Sequence, residues 1–66
     1  MLKILLIIIT TISLQTKKSN ELCKTGLALK LQGKYTLAIE KFDHSIKYKE
    51  NIDSYFFRAN CYFKLH

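Results

Sequence analysis

Two cysteines, two histidines and one acid–histidine–serine run are the residues in this 66-residue chain whose types suit chemistry. Cys23, Cys61, His44 and His66 lack the Cys-x2-Cys or His-x3-His spacing of a metal site. The run at positions 43–45 cannot act as a proton relay, because adjacent residues on a helix point to different sides. With no glycine-rich phosphate loop either, we expect no enzyme activity, no metal and no cofactor.

The two cysteines leave two alternatives open. If the chain enters an oxidising compartment, Cys23 and Cys61 could form a disulfide. The commoner role of such cysteines is that of small buried hydrophobic residues on helix faces, and this is the interpretation that we favour.

The charge of the chain is strongly positive, with a formal net charge of +6 and 11 basic residues. Only Arg58 is an arginine, and the lysines are spread along the whole chain. Arginine is the residue that makes forked contacts with phosphates and base edges. We therefore interpret the lysines as a solvated surface and expect no nucleic acid as a partner.

The residues from 19 onward read as amphipathic helices joined by short turns. Ser19 or Asn20 is placed to cap a first helix that begins at Glu21. Gly33 is expected to end that helix, since glycine readily adopts the left-handed conformation needed there. Short turns between such helices predict antiparallel packing of neighbours.

Two further helices follow the turn at 33–35. Thr36 is the predicted cap of the second helix, and the polar stretch 49–52 ends it. Asp53 or Ser54 is predicted to start the third helix, which continues to the end of the sequence. The predicted fold class is therefore all-α.

A stripe of apolar and small residues recurs along these helices. Positions 22, 26 and 29 are matched by positions 55, 59 and 62, a shift of 33 residues. A self-match of this period is typical of stacked helix-pair arrays that bind other proteins. The residues expected to pack between the helices are Leu22, Gly26, Leu29, Ala38, Phe42, Tyr55, Ala59 and Tyr62.

These residues resemble the pattern of the tetratricopeptide repeat, a helix-turn-helix unit. Gly26 falls on the glycine of that pattern, Ala38 and Phe42 on its second helix, and Ser45 on its later small residue. The resemblance implies one antiparallel helical hairpin over about 19–52 and the first helix of a second repeat over 53–66.

The chain departs from the family pattern in two places. Glu50 stands near the position of the closing proline, and the sequence ends at His66 without the second helix of repeat two. About three repeats are needed for a stable array. We therefore expect a truncated piece of a longer array, with completion by self-association or by a partner as the alternative.

The first 18 residues differ from the rest. One positive charge at Lys3 precedes an apolar run over 4–14, and Lys17 and Lys18 follow it. A run of this length is typical of a secretory signal peptide and is short for a membrane-spanning helix. We expect an apolar N-terminal helix that is a signal peptide or an uncleaved anchor able to contact a membrane; a cytoplasmic location is the alternative.

The family resemblance also implies a binding groove, because the first helix of each repeat lines it. We place Cys23 there together with nine other residues, which form an apolar floor with lysines around it. These nine are Lys24, Leu27, Lys30, Leu31, Phe56, Phe57, Asn60, Phe63 and Lys64. Such a groove suits a protein or peptide with hydrophobic anchors and acidic flanks. The alternative is that the phenylalanines pack against a neighbouring helix.

Two functions follow from these observations. The first is a non-catalytic scaffold that binds proteins through tetratricopeptide-type repeats. The second is a small basic peptide, exported or membrane-associated, whose activity lies in its apolar N-terminus and its lysine-rich helices.

Overall fold

The computed structural model describes the backbone of residues 2–66 and the side chains of residues 13–66. Three helices make up this part of the chain: α1 (Leu2–Leu31), α2 (Tyr35–Tyr48) and α3 (Ile52–Leu65). The predicted all-α class is thus confirmed for the described residues.

The first helix begins far earlier than the predicted start at Glu21. The backbone is helical from Leu2 to Leu31, so Ser19 and Asn20 lie inside α1 and cap nothing. The physical reason is that the stretch before Gly26 contains no proline or glycine, while Gln15, Lys17 and Lys18 favour helix. The predicted boundary between residues 18 and 19 thus falls within a continuous helix.

The end of α1 follows the prediction for Gly33. Its φ of 78° is left-handed. The backbone N–H of Gly33 donates to Lys30 O at 3.0 Å, and that of Lys34 donates to Leu29 O at 2.9 Å. This pair of bonds is the Schellman motif, which satisfies the last carbonyl groups of a helix.

The helix starts after the two turns differ from the predictions. Because the turn at Gly33 is so tight, α2 begins already at Tyr35, and Lys34 precedes it without a side-chain cap. Thr36 is therefore not the cap. At α3 the cap is Asn51, whose side-chain oxygen accepts a hydrogen bond from Ser54 N at 2.8 Å, so neither Asp53 nor Ser54 has that role.

Side-chain contacts define how the helices pack. Ser19 meets Ser45 near one end of the α1–α2 contact, and Gly26 meets Phe42 nearer the turn, so α1 and α2 are antiparallel. Phe42 likewise stacks on Phe57 of α3, with ring centroids 5.9 Å apart. The small core consists of Ala38, Ile39, Phe42 and Cys61, against which Cys23, Leu27, Leu29, Tyr35 and Phe57 pack.

The predicted N-terminal targeting segment lies largely outside the residues whose side chains the structure describes, since these begin at residue 13. Within the described part of the chain, no helix combines the length and the apolarity that a membrane crossing requires.

Candidate protein-binding groove

A shallow recess of about 230 Å³ lies between α1 and α3, on the side where the groove is predicted. Its lining residues are Asn20, Cys23, Lys24, Leu27, Asp53 and Phe57. Leu27 and Phe57 are half-buried against the core and form an apolar floor. Lys24 and Asp53 are exposed and carry opposite charges. The recess thus offers an apolar contact beside one cation and one anion.

Three further predicted groove residues lie around Phe57. The Lys30 ammonium sits over its ring, 5.7 Å from the centroid, and Phe56 meets it edge-on at 5.5 Å. Asn60 is half-buried, and its amide donates to Phe56 O at 3.2 Å. An amide held by its own helix has less capacity to hold a ligand.

The remaining predicted groove residues do not line the recess. Leu31 and Phe63 are each 78% exposed, and Lys64 is exposed as well. The structure therefore brings Lys24, Leu27, Lys30 and Phe57 together with Phe56 beside them, and leaves these three on the open surface.

A larger recess of about 400 Å³ occupies the opposite side of the hairpin, between α1 and α2. It is lined by Leu22, His44, Lys47 and Tyr48. Lys18 lies nearby, with its ammonium 5.4 Å from the centroid of the Tyr48 ring. We favour the smaller recess as a binding site because its floor of Leu27 and Phe57 packs against the apolar core, whereas His44, Lys47 and Tyr48 of the larger recess are exposed.

A buried polar junction, which the sequence analysis missed, sets the position of α3 relative to α1. Ser19, Ser45 and Ser54 come from three different helices and are at most 1% exposed. Ser45 Oγ donates to Ser19 O at 2.7 Å, and Ser54 Oγ donates to Ser45 Oγ at 2.9 Å. Ser19 Oγ in turn donates to Ser45 O at 2.9 Å. The junction therefore ties all three helices at one end of the recess.

Asn51 completes this junction. Because its side-chain oxygen accepts a hydrogen bond from Ser54 N, its amide nitrogen faces the two other serine hydroxyl groups of the junction. That nitrogen lies 3.1 Å from both Ser19 Oγ and Ser45 Oγ, and 2.9 Å from Lys49 O. Every buried side-chain polar atom of the described residues has a partner. The signal in the sequence was the placement of serines at positions 45 and 54, on the inward faces of α2 and α3.

The residues of the repeated stripe lie in two different environments. Gly26, Ala38 and Phe42 are buried at the α1–α2 contact, Leu29 packs against the core, and Leu22 is half-buried. Their matches on α3, at positions 55, 59 and 62, are all exposed. The first copy of the stripe is therefore covered by α2, and the second is uncovered in a single chain.

An ion pair also joins α2 to α3. Arg58 Nη1 lies 2.6 Å from Asp43 Oδ1, and the guanidinium carbon lies 5.1 Å from the centroid of the Tyr55 ring. Both partners are partly exposed, so the pair contributes at most about 1 kcal/mol to stability.

No family model, curated protein or solved structure matches this chain. Among the described residues, no group of three or more histidine, cysteine, aspartate or glutamate side chains is placed to hold a metal ion. Both cysteines are free thiols, Cys61 buried and Cys23 half-buried.

Proposed function

We propose that this chain is a non-catalytic protein-binding module of the tetratricopeptide type. Support comes from the contact between Gly26 and Phe42, at the positions where the repeat pattern has its glycine and its second-helix phenylalanine. The left-handed turn at Gly33 and the antiparallel order of the helices are compatible with the same unit.

The observation that carries the binding proposal is the recess between α1 and α3. An apolar floor at Leu27 and Phe57 suits a hydrophobic anchor residue of a peptide. Lys24 and Lys30 stand on the α1 side and would attract acidic residues flanking that anchor. Asp53 on the α3 side opposes this attraction, so it limits affinity for an acidic ligand.

The test uses fluorescein-labelled synthetic peptides in which leucine and phenylalanine anchors are flanked by glutamates or, in a second set, by lysines. Fluorescence anisotropy is expected to detect binding of the acidic set only. Lys24→Glu should weaken this binding by about tenfold, because it turns an attraction into a repulsion. Asp53→Asn should strengthen it.

The matched control is Lys47→Glu, which makes the same change in net charge at the larger recess between α1 and α2. Unchanged affinity in this variant would place the peptide at the smaller recess. A loss in Lys47→Glu with none in Lys24→Glu would refute the proposed site. The proposed function itself fails if neither peptide set binds at millimolar concentration.

A further inference from the structure

The strongest unexplained surface feature is an apolar stripe along the outer side of α3. We define the α3 stripe as Ile52, Tyr55, Phe56, Ala59, Tyr62 and Phe63. All six residues are exposed, with Ile52 at 85%, Phe63 at 78% and Phe56 at 61%. Contiguous aromatic surface of this kind on a helix marks an interaction site.

The stripe lies opposite the side of α3 that packs on α2. Ser54 and Cys61 are buried on the inner side, with Phe57 and Arg58 half-buried beside them. The equivalent positions of α1, 33 residues earlier, include Leu22, Gly26 and Leu29, which are buried or half-buried on the side of α1 that packs against α2. Since α2 covers that side of α1 and the α3 stripe is uncovered in a single chain, the α3 stripe needs a partner that α1 already has in α2.

The order of residues in the stripe is nearly symmetric about its centre. Ala59 has aromatic residues three and four positions before it, Phe56 and Tyr55, and three and four positions after it, Tyr62 and Phe63. A two-fold axis at Ala59 relating two antiparallel helices places Tyr55 of one copy opposite Tyr62 of the other, because both lie on the same edge of the α3 stripe. It likewise places Phe56 opposite Phe63 on the other edge, so each interface side complements itself.

The flanking charges select the antiparallel orientation. Asp53 and Lys64 lie along the same edge of α3, six residues before and five residues after Ala59. In the antiparallel pair, Asp53 of one copy is level with Lys64 of the other along the shared edge. A parallel pair would instead bring like charges to the same height on opposite edges, so it would lack this match of opposite charges.

We propose that a second copy of this chain covers the α3 stripe, in an antiparallel pair of α3 helices centred on Ala59. The small Ala59 side chain lets the two helices approach closely, and the aromatic rings on either side pack across the axis. This inference goes beyond peptide binding and stands without it, because Ala59 does not line the recess between α1 and α3.

Sedimentation velocity of the full chain tests the pairing, from low micromolar to submillimolar protein. The wild-type chain should shift from monomer to dimer over this range. Ala59→Glu should raise the dimer dissociation constant about tenfold or more, since it buries an unpaired carboxylate at the axis. Its helical circular dichroism should be unchanged, because Ala59 is exposed in the single chain.

The matched control is Ala28→Glu, the same substitution at an exposed alanine of α1. It should dimerise like the wild type. A monomeric wild-type chain at every concentration would overturn the proposal and leave the α3 stripe for a helix of a different chain. Association that persists in Ala59→Glu would also overturn it, because another surface would then be responsible.

Disulfide formation tests the orientation. With Tyr62→Cys alone, the antiparallel pair sets the new thiol opposite Tyr55 of the other copy, so little homodimer should cross-link under mild oxidation. Mixing Tyr62→Cys with Tyr55→Cys should produce a cross-linked heterodimer. Efficient cross-linking of Tyr62→Cys to itself would indicate a parallel pair and overturn the antiparallel geometry.

Discussion

Gly26 is the position at which a single carbon atom decides the packing of α1 on α2. A Cβ placed there would lie 2.7 Å from Phe42 Cε1, 2.9 Å from Cδ1 and 3.0 Å from Cζ. The Phe42 ring is fully buried and stacked on Phe57, so it has little room to move away. Glycine is therefore required at this position by the close approach of the ring.

We expect Gly26→Ala to destabilise the chain by up to about 2 kcal/mol. Overpacking costs about 1–3 kcal/mol, whereas alanine in place of glycine recovers only about 1 kcal/mol of helix propensity. Urea denaturation followed by circular dichroism measures the difference. In a Phe42→Leu background the same substitution should lower the free energy of unfolding by less, because the phenyl ring that the new methyl group would meet is absent. An equal cost in both backgrounds would contradict the steric explanation.

Cys61 is fully buried, and this burial raises the pKa of its thiol, with nearby Lys30 acting weakly in the opposite direction. The folded state therefore favours the neutral thiol. Its contribution to stability is fully present below the pKa of an unfolded cysteine and is lost as the pH rises through the higher pKa of the folded state.

The urea midpoint should accordingly fall more steeply with rising alkaline pH in the wild type than in Cys61→Ala. Comparing the two chains at each pH cancels the titration of tyrosines and lysines that they share. If the urea midpoints of the wild type and Cys61→Ala fell in parallel with rising pH, burial of the Cys61 thiol would not be the cause of the pH dependence.

At the scale of the helices, the serine junction is the feature that fixes their ends. Ser45 Oγ bonds to groups of Ser19, Ser54 and Asn51. Removing this one oxygen takes away the acceptor of the buried Ser54 hydroxyl and one hydrogen bond each from the Ser19 carbonyl and the Asn51 amide. Unsatisfied buried groups cost more than the bonds themselves contribute.

We expect Ser45→Ala to lower the free energy of unfolding by about 1–3 kcal/mol. Ser13→Ala, at an exposed serine of α1, is the matched control and should change it by less than about 0.5 kcal/mol. The measurement is urea denaturation. If the two variants proved equally stable, the junction would be structurally dispensable.

The helix ends show which local sequence signals were sufficient to predict where a helix begins or ends. Gly33 could be recognised because a left-handed C-terminal turn has one strongly preferred residue. The N-terminal caps could not, because Asn51, Asp53 and Ser54 are all of suitable type at the start of α3 and α2 begins without a side-chain cap. Ser19 has a capping side chain but lies inside α1, where packing against Ser45 uses its hydroxyl instead.

For the whole molecule, the net charge of +6 predicts different salt dependences for dimerisation and for peptide binding. Two like-charged copies repel each other, so added salt should strengthen dimerisation through the α3 stripe. An acidic peptide is attracted by the same charge, so salt should weaken its binding to the recess. We expect opposite salt dependences in sedimentation and in fluorescence anisotropy.

The opposite salt dependence would contradict each proposed interaction in a specific way. Dimerisation that weakens with salt would indicate that ionic contacts dominate, against the apolar stripe proposed here. Peptide binding that is insensitive to salt would assign the affinity to Leu27 and Phe57 alone, without a role for Lys24 and Lys30.

The sequence by itself determined the helical class, the turn at Gly33 and the inward stripe through Ala38 and Phe42, because these follow from local conformational preference and helical periodicity. Only the tertiary structure decided that Ser19 is buried, that α1 continues through it and that Asp53 faces Lys24 across a recess. The reason is that these contacts join residues 26 or more positions apart in sequence, as between Ser19 and Ser45. Such contacts depend on how the helices pack, which helical periodicity alone does not specify.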